Sequence, residues 1–190
     1  PRSTLFPYTT LFRSPEILSK MAQAGKGTVV SAFGTAVERL MVNFTNPDPA
    51  LGEIRSEYIG GSNNRNAHPF LAEYNVRRAL SLAIDRQILV DAGYGQAGKI
   101  SCNVLPAPAI YASSANDECK TQNVAEANNL LDAAGWKRGS DGIREKDGIR
   151  LSILYQTSTN SVRQEIGRAS CRASVSIAVV AVSLKKKYTH

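Results

Sequence analysis

Few residues of this chain have the types and spacing that enzymatic chemistry requires. His68 is one of two histidines, and the other is His190. A Ser-His-Asp or Cys-His catalyst would have to use His68 as its base, but its position before Pro69, ahead of a helical pattern, favours a structural or surface role. Asp85 and Asp91 are not matched by a second acidic pair, which disfavours paired carboxylate chemistry. The sequence therefore predicts a protein that is not an enzyme, with no catalytic residues and no cofactor.

Cys102 and Cys119 are the most informative pair of reactive side chains. They flank a loop that contains two prolines, NVLPAPAIYASSANDE. A disulfide would restrain such a loop by about 3 kcal/mol on the loop-entropy model, and it would indicate an oxidising compartment such as the periplasm. The alternative is two unrelated buried thiols. Because no His or further Cys lies nearby to complete a tetrahedral site, no metal site is predicted.

Two amphipathic helices must position these residues. The first is predicted over 73–93, with Asn75 as its N-cap and Gly93 as a left-handed terminator. The second is predicted over 123–136, with Asn123 and Glu126 at capping-box spacing and Gly135 as its terminator. The apolar faces at helical spacing consist of Val76, Leu80, Ala83, Ile84 and Ile88 in the first helix and Leu130, Leu131 and Ala134 in the second.

The remaining pattern is that of strands and turns. Residues 27–33 are β-branched, and Leu40, Val42 and Phe44 recur with the period of a half-buried strand. Residues 140–148 carry two Asp-Gly turn signals and lead into a strand with Leu151, Ile153 and Tyr155 on one face. Another helix would start at 157–164. This order of strands and helices predicts a mixed α/β fold.

Both ends of the chain look derived from ligated DNA. TTLFRS near the N-terminus can be encoded as ACG-ACG-CTC-TTC-CGA-TCT, and the opposite strand read in another frame gives Ile-Gly-Arg-Ala-Ser, which is found at 166–170. Both peptides resemble the translation of a short-read sequencing adapter. We therefore expect 1–14 and 165–190 to be adapter-derived or out-of-frame, with 15–164 as the authentic partial domain.

This division changes the reading of charge and hydropathy. The chain has 23 Lys and Arg against 16 Asp and Glu, a net charge of +7. The two ends hold seven of the basic residues and one acidic residue, which leaves the middle nearly neutral with 16 basic and 15 acidic side chains. Nucleic-acid binding is therefore disfavoured. The apolar run 173–184 has 12 residues, and a spanning helix needs about 20.

Four stretches now support a resemblance to a known family. HPFLAEYNVRRALSLAIDR at 68–86 resembles a signature of the family 5 extracellular solute-binding proteins, which are dipeptide, oligopeptide and nickel receptors of ABC importers. ANNLLDAAGW at 127–136 is similar to the next helix of that family, and 141–159 to the hairpin and strand that follow. VERLMVNFTNPDP at 37–49 resembles the hinge strand between the two lobes. The four stretches occur in the family's order.

The resemblance implies an α/β fragment of a two-lobed periplasmic-binding-protein-like (type II) fold, consisting of the hinge strand and part of the second lobe. It implies a periplasmic or cell-envelope receptor that binds a peptide or other small solute and delivers it to a membrane permease. Most cleft residues would then lie outside this chain, so we expect it not to bind substrate alone.

Gly34, Thr35, Glu38 and Arg39 are the candidate substrate-binding residues, because ligands bind preferentially at domain interfaces. Glu38 would meet a ligand's amino group and Arg39 its carboxylate, and the alternative for these two residues is a solvated pair or a hinge salt bridge. For the whole protein, the alternatives are a receptor for nickel or another small solute, and the solute-sensing domain of a transcriptional regulator. A disulfide between Cys102 and Cys119 would argue against a cytoplasmic regulator.

Overall fold

The computed structural model describes residues 15–25, 33–56 and 66–185. Within these ranges the chain forms five α-helices and five β-strands, and none of these helices is long and apolar enough to cross a bilayer. The helices are α1 (Pro15–Gln23), α2 (Tyr74–Ala83), α3 (Arg86–Gly93), α4 (Val124–Ala133) and α5 (Ser161–Val175). The strands are β1 (Lys137–Arg138), β2 (Arg144–Lys146), β3 (Ile149–Arg150), β4 (Ser152–Thr157) and β5 (Val180–Lys185).

The strands form two small sheets. Strands β1, β2 and β3 pair antiparallel in sequence order. Asp147 and Gly148 both have positive φ in the turn between β2 and β3, as a two-residue hairpin turn of type I′ requires. Strands β4 and β5 pair parallel, from Ser152 opposite Val180 to Thr157 opposite Lys185, and α5 makes the crossover between them. The mixed α/β class is confirmed.

The helix predicted over 73–93 is two helices, because the chain breaks at Ile84 and Asp85. The Asp85 carboxylate caps α3 by accepting from the backbone N–H groups of Gln87 (3.0 Å) and Ile88 (3.2 Å). The next residue, Arg86, donates from its guanidinium to the Ser81 carbonyl (2.9 Å), which belongs to the last turn of α2. Two adjacent charged side chains therefore satisfy the backbone groups that the break exposes.

Two predicted helix ends are wrong and two are confirmed. Glu73, not Asn75, is the N-cap of α2, and it makes no side-chain capping bond. Gly93 lies inside α3 without positive φ. An added Cβ there would meet the Cδ1 atom of Ile166 at 3.0 Å, so close packing of α3 on α5 favours glycine at this position. In α4, Asn123 caps the Glu126 N–H (3.0 Å) and Gly135 follows with φ +86°, both as predicted.

The core lies between α2, α4 and the strand segment that follows them. Trp136 is 1% exposed and meets Phe70 edge to face, with ring centroids 5.9 Å apart. Leu151 is also buried in this core and directly precedes β4. Ile153 and Tyr155 follow on the same, more buried face of β4, as the period-2 pattern predicts. The other core side chains are Val76, Ala79, Leu82, Ala83, Ala127, Leu131, Ile177 and Val179.

Arg144 is a buried charge at the centre of this assembly, with 1% of its surface exposed. Its guanidinium donates to the Ile177 carbonyl (3.1 Å), to the Asn128 side-chain oxygen (2.8 Å), and to the Trp136 carbonyl and the Asp132 carboxylate. The ion pair holds the pKa of Asp132 below its usual range, mainly through the hydrogen bond from Arg144. One side chain thus joins α4, Trp136, the hairpin and the segment before β5.

A loop between α3 and α4 is closed by the predicted disulfide. Cys102 and Cys119 are bonded, with Cα atoms 6.0 Å apart. The loop is held further by the bidentate pair between Arg78 of α2 and Glu118, with N···O distances of 2.7 and 2.9 Å. The hydrogen bonds from Arg78 hold the pKa of Glu118 below its usual range. Because Cys102 and Cys119 are bonded, the alternative of two unrelated buried thiols is excluded for this structure.

The strand predicted at 40–45 is wrong apart from a single bridge. Residues 36–44 form no regular secondary structure, and pairing here within the described chain is limited to an isolated antiparallel bridge between Thr45 and Ala67. Leu40 is 41% exposed and Phe44 40%, because no neighbouring strand of the described chain covers them. The strand predicted at 27–33 lies, apart from Phe33, outside the described residues.

The segment after Gln164 takes part in the packing. It supplies most of α5, in which Ile166, Gly167, Ala169 and Ser170 are buried, and it includes β5. The Ile177 carbonyl accepts the hydrogen bond from Arg144 described above. The adapter origin of 165–190 remains a prediction about the DNA, and residues 1–14 lie outside the described chain.

We expect replacement of Arg144 by Met to lower the free energy of unfolding by about 3 kcal/mol, because it leaves buried acceptors without donors. Arg144→Lys, which keeps the charge but cannot reach all four acceptors, is expected to cost less. Urea unfolding followed by Trp136 fluorescence measures both. An unfolding midpoint of Arg144→Met equal to that of the parent chain would contradict the role given to this guanidinium.

Opening the disulfide is expected to cost about 3 kcal/mol of stability, as the loop-entropy model gives for a loop of this length. The measurement is urea unfolding of the parent chain against a Cys102→Ser, Cys119→Ser double variant. Thiol titration supplies the control: under denaturing conditions the oxidised chain should show one reactive thiol, Cys171, and the reduced chain three. Three thiols without reductant would be the opposing result.

Candidate ligand-binding site

The predicted site lies in residues 33–45, here named the crossing segment. Its C-terminal end is fastened to the start of the helical region, where the His68 N–H donates to the Phe44 carbonyl (2.6 Å) and the Arg77 guanidinium lies 4.8 Å from the centroid of the Phe44 ring. Its N-terminal end approaches Lys99, whose ammonium lies 5.7 Å from the centroid of the Phe33 ring. The segment is therefore held at both ends against the α/β body.

Glu38 is held by two side chains distant in sequence. Its carboxylate accepts a hydrogen bond from the Tyr94 hydroxyl (2.8 Å), just after α3, and forms an ion pair with the Arg163 Nε atom (3.0 Å) of α5. Tyr155 of β4 interacts electrostatically with Glu38 and Arg163, and burial raises the pKa of its hydroxyl. Of the two alternatives for Glu38, the structure supports an intramolecular salt bridge.

The other predicted site residues are exposed. Gly34, Thr35 and Arg39 all lie on the surface, and open space surrounds the position of a Cβ added to Gly34. Within the described residues Arg39 has no salt-bridge partner, unlike its neighbour Glu38. Of the predicted charge pair, the Glu38 carboxylate is therefore bound by other side chains, whereas the Arg39 guanidinium has no salt-bridge partner among the described residues.

Tyr94 and Arg163 are the residues that sequence reasoning missed. They lie 56 and 125 positions from Glu38, too far apart for any local pattern to connect them. Each has an ordinary local context, at the end of one helix and the first turn of another. Only the packing of α3 against α5 brings them to the same carboxylate.

The signature stretch 68–86 has a structural role throughout. His68 accepts at Nδ1 from the N–H groups of Phe70 (3.3 Å) and Leu71 (3.1 Å), which confirms a structural role for this histidine. Arg77 donates to the carbonyls of Leu71 (3.0 Å) and Ala72 (2.7 Å). Together with Asp85 at the helix break, these side chains satisfy backbone groups at turns and helix ends.

The described residues include no cluster of three or more His, Cys, Asp or Glu side chains arranged to hold a metal ion. The groups that the crossing segment presents are a guanidinium, a hydroxyl and free backbone. Such groups recognise carboxylates and peptide backbone by charge-assisted and neutral hydrogen bonds.

The comparisons with known proteins show the fold class and the family. Solved structures that share the fold include NikA from Brucella suis in complex with Fe(III)-EDTA, which has a TM-score of 0.56 and 21% identity over 63% of this chain and 24% of its own. The chain is thus α/β and forms part of the type II periplasmic-binding fold. The family described as bacterial extracellular solute-binding proteins, family 5, matches residues 11–169. The chain belongs to this family.

Individual relatives agree with that assignment. Protein XP55 of Streptomyces lividans is 41% identical over 91 residues, which are 47% of this chain and 16% of the relative. The oligopeptide-binding protein OppA of Lactococcus lactis subsp. lactis is 34% identical over 99 residues, 50% of this chain and 16% of the relative. The chain therefore spans about a sixth of the length of these relatives.

Two solved structures come from oligopeptide-binding proteins. Lactococcal OppA, complexed with an endogenous peptide in the closed conformation, has a TM-score of 0.53 and 30% identity over 60% of this chain and 22% of its own. AppA from Bacillus subtilis, in complex with a nonapeptide, has a TM-score of 0.55 and 26% identity over 60% and 23%.

Because His68 is half-buried, the stability of the chain against unfolding is expected to depend on pH. Burial lowers the pKa of this imidazole, so the unfolded chain, with a pKa near 6.5, takes up the proton first as the pH falls. The stability that neutral His68 contributes is fully present above that value and is lost as the pH falls towards the folded pKa.

We therefore expect the urea midpoint of the parent chain to fall between about pH 7.5 and 5.5 by more than that of His68→Asn. The Asn side-chain oxygen can accept the same two N–H groups but does not titrate in this range. Identical pH profiles for the two chains would show that His68 does not contribute.

Proposed function

We propose that this chain is part of the substrate-binding component of an ABC importer for peptides. The observation that carries the proposal is the family match over 11–169, supported by the relatives at 30% and 26% identity whose structures hold peptides. The parent protein would reside in the periplasm or cell envelope and deliver its ligand to a membrane permease. The disulfide supports an oxidising compartment.

Within that receptor, the crossing segment corresponds to the hinge strand, and the region from α2 to β4 to the first part of the second lobe. Residues 36–44 belong to no sheet of the described chain, which supports this assignment, because a strand between lobes needs partners that the described chain does not supply. The domain bounds 15–164 belong to the same proposal. Since this chain spans 22% of the solved OppA, most of the cleft would be supplied by other parts of the receptor.

The contacts of Glu38 and Arg39 support different roles for these two residues. Glu38 is engaged by Tyr94 and Arg163, so it is poorly placed to meet a ligand's amino group. Arg39 is exposed beside it and is the better candidate for recognition of a carboxylate. We therefore assign peptide C-terminal or side-chain carboxylates as the groups that this segment would contact.

No observation favours the alternatives equally. NikA at 21% identity shows a shared fold alone, and the disulfide disfavours a cytoplasmic regulator.

The test is calorimetric titration of the intact receptor encoded by the parent gene with a mixture of short peptides, and with Ni²⁺ separately. We expect peptide binding by the intact receptor and none by the 190-residue chain. In the receptor, Arg39→Gln should weaken binding of peptides with a free C-terminus about tenfold and leave amidated peptides unaffected.

Arg150→Gln is the control, since Arg150 is another exposed arginine, on the hairpin, where it pairs with Asp141. Binding of Ni²⁺ but no peptide by the intact receptor would overturn the proposed function. Specific micromolar binding by the 190-residue chain would instead overturn only the claim that the cleft is incomplete.

A further inference from the structure

We infer that Glu38, Tyr94 and Arg163 form a latch that fixes the middle of the crossing segment to the α/β body and confines bending to the residues before Glu38. The contacts can be checked in this chain without ligand. Their consequence for lobe movement rests on the proposed function.

The latch connects the crossing segment to two helices that pack against each other. Glu38 belongs to the crossing segment, Tyr94 follows the last turn of α3, and Arg163 lies in the first turn of α5. The carboxylate receives one hydroxyl donor at 2.8 Å and one guanidinium nitrogen at 3.0 Å, on different oxygens. Both acceptor atoms are thus engaged, and the side chain is fixed from two helices.

The body behind the latch is well packed. Ile166 is 7% exposed and lies against Gly93, where even a methyl group would be in close contact at 3.0 Å. Helices α3 and α5 therefore cannot separate or slide readily without loss of packing. A segment tied to both helices is expected to move with them as one piece.

The residues before Glu38 are restrained less than Glu38 itself, because the contact described there is the Lys99 ammonium at 5.7 Å from the centroid of the exposed Phe33 ring. Gly34 has no heavy atom within 4 Å of an added Cβ, and Thr35 and Ala36 are exposed. After Glu38, by contrast, the segment is fastened again through Phe44 to His68 and Arg77. The pivot is therefore placed at 34–36, and the part from Glu38 to Thr45 belongs mechanically to the second lobe.

This placement makes a specific mechanical statement about the receptor. Hinges are a few residues that absorb the backbone change when domains close. With the latch formed, Arg39 keeps a fixed position relative to α3 and α5 in open and closed states. With the latch broken, the pivot would extend towards Phe44 and Arg39 would lose that position.

The experiment measures spin-label distances in the 190-residue chain with Cys171→Ser. One label is placed at Asn129→Cys, an exposed position on α4, and the other at Thr35→Cys or Arg39→Cys. The disulfide leaves Cys102 and Cys119 unreactive to the label. We expect a narrow distance distribution for Arg39→Cys and a broad one for Thr35→Cys.

Glu38→Gln, Arg163→Gln and Tyr94→Phe should each remove the narrow peak at Arg39→Cys and leave the Thr35→Cys distribution unchanged. The reversed pair Glu38→Arg with Arg163→Glu should restore the peak that either reversal alone abolishes. Rescue of this kind distinguishes a specific pair from a general loss of packing. Glu118→Gln, which breaks a bidentate pair elsewhere, is the control that should have no effect.

A narrow peak that survives Glu38→Gln, or a reversed pair that does not restore it, would overturn the latch. Circular dichroism of each variant identifies chains that have not folded. If a charge variant fails to fold, Tyr94→Phe replaces it in the test, because it removes only a single hydroxyl. Because no ligand is used, failure of the latch and failure of peptide binding are separate results.

Discussion

The guanidinium of Arg144 is the constraint on which the rest of the structure depends. It is a buried cation that touches α4, the carbonyl of Trp136 and the carbonyl of Ile177 before β5. A charge in such a place is tolerated only if its donors are used, and here two side chains of α4 and two backbone carbonyls outside the helices and strands supply the acceptors. The hairpin, α4 and the segment before β5 are consequently fixed relative to one another around a single side chain.

Satisfied backbone groups also explain the polar side chains of residues 68–86. His68 holds the turn into α2, Arg77 holds Leu71 and Ala72, and Asp85 starts α3. These contacts stabilise turns and helix ends, so this stretch serves the scaffold of the α/β body.

The crossing segment is attached to the α/β body at two points. Its far end is tied to the signature through Phe44, and its middle is tied to α3 and α5 through Glu38. The free residues Gly34 and Thr35 and the available guanidinium of Arg39 lie on either side of the Glu38 contact. In the proposed receptor, this arrangement would hold Arg39 rigidly while bending at adjacent small residues.

Local physics fixed the elements that sequence alone could identify. The caps at Asn123 and Gly135, the Asp147–Gly148 turn and the alternation of Leu151, Ile153 and Tyr155 all depend on residues within a few positions of one another. The disulfide also followed from its flanking loop. The break at Ile84 and Asp85 was missed because the apolar face continues across it, although an Asp three residues before Ile88 is itself a capping signal.

Only the tertiary structure decided the contacts between distant segments. These are the burial of Arg144, the close fit of Gly93 on Ile166, and the contacts of Glu38 with Tyr94 and Arg163. Such contacts arise when packed helices bring remote side chains together, and no periodicity along the chain encodes them.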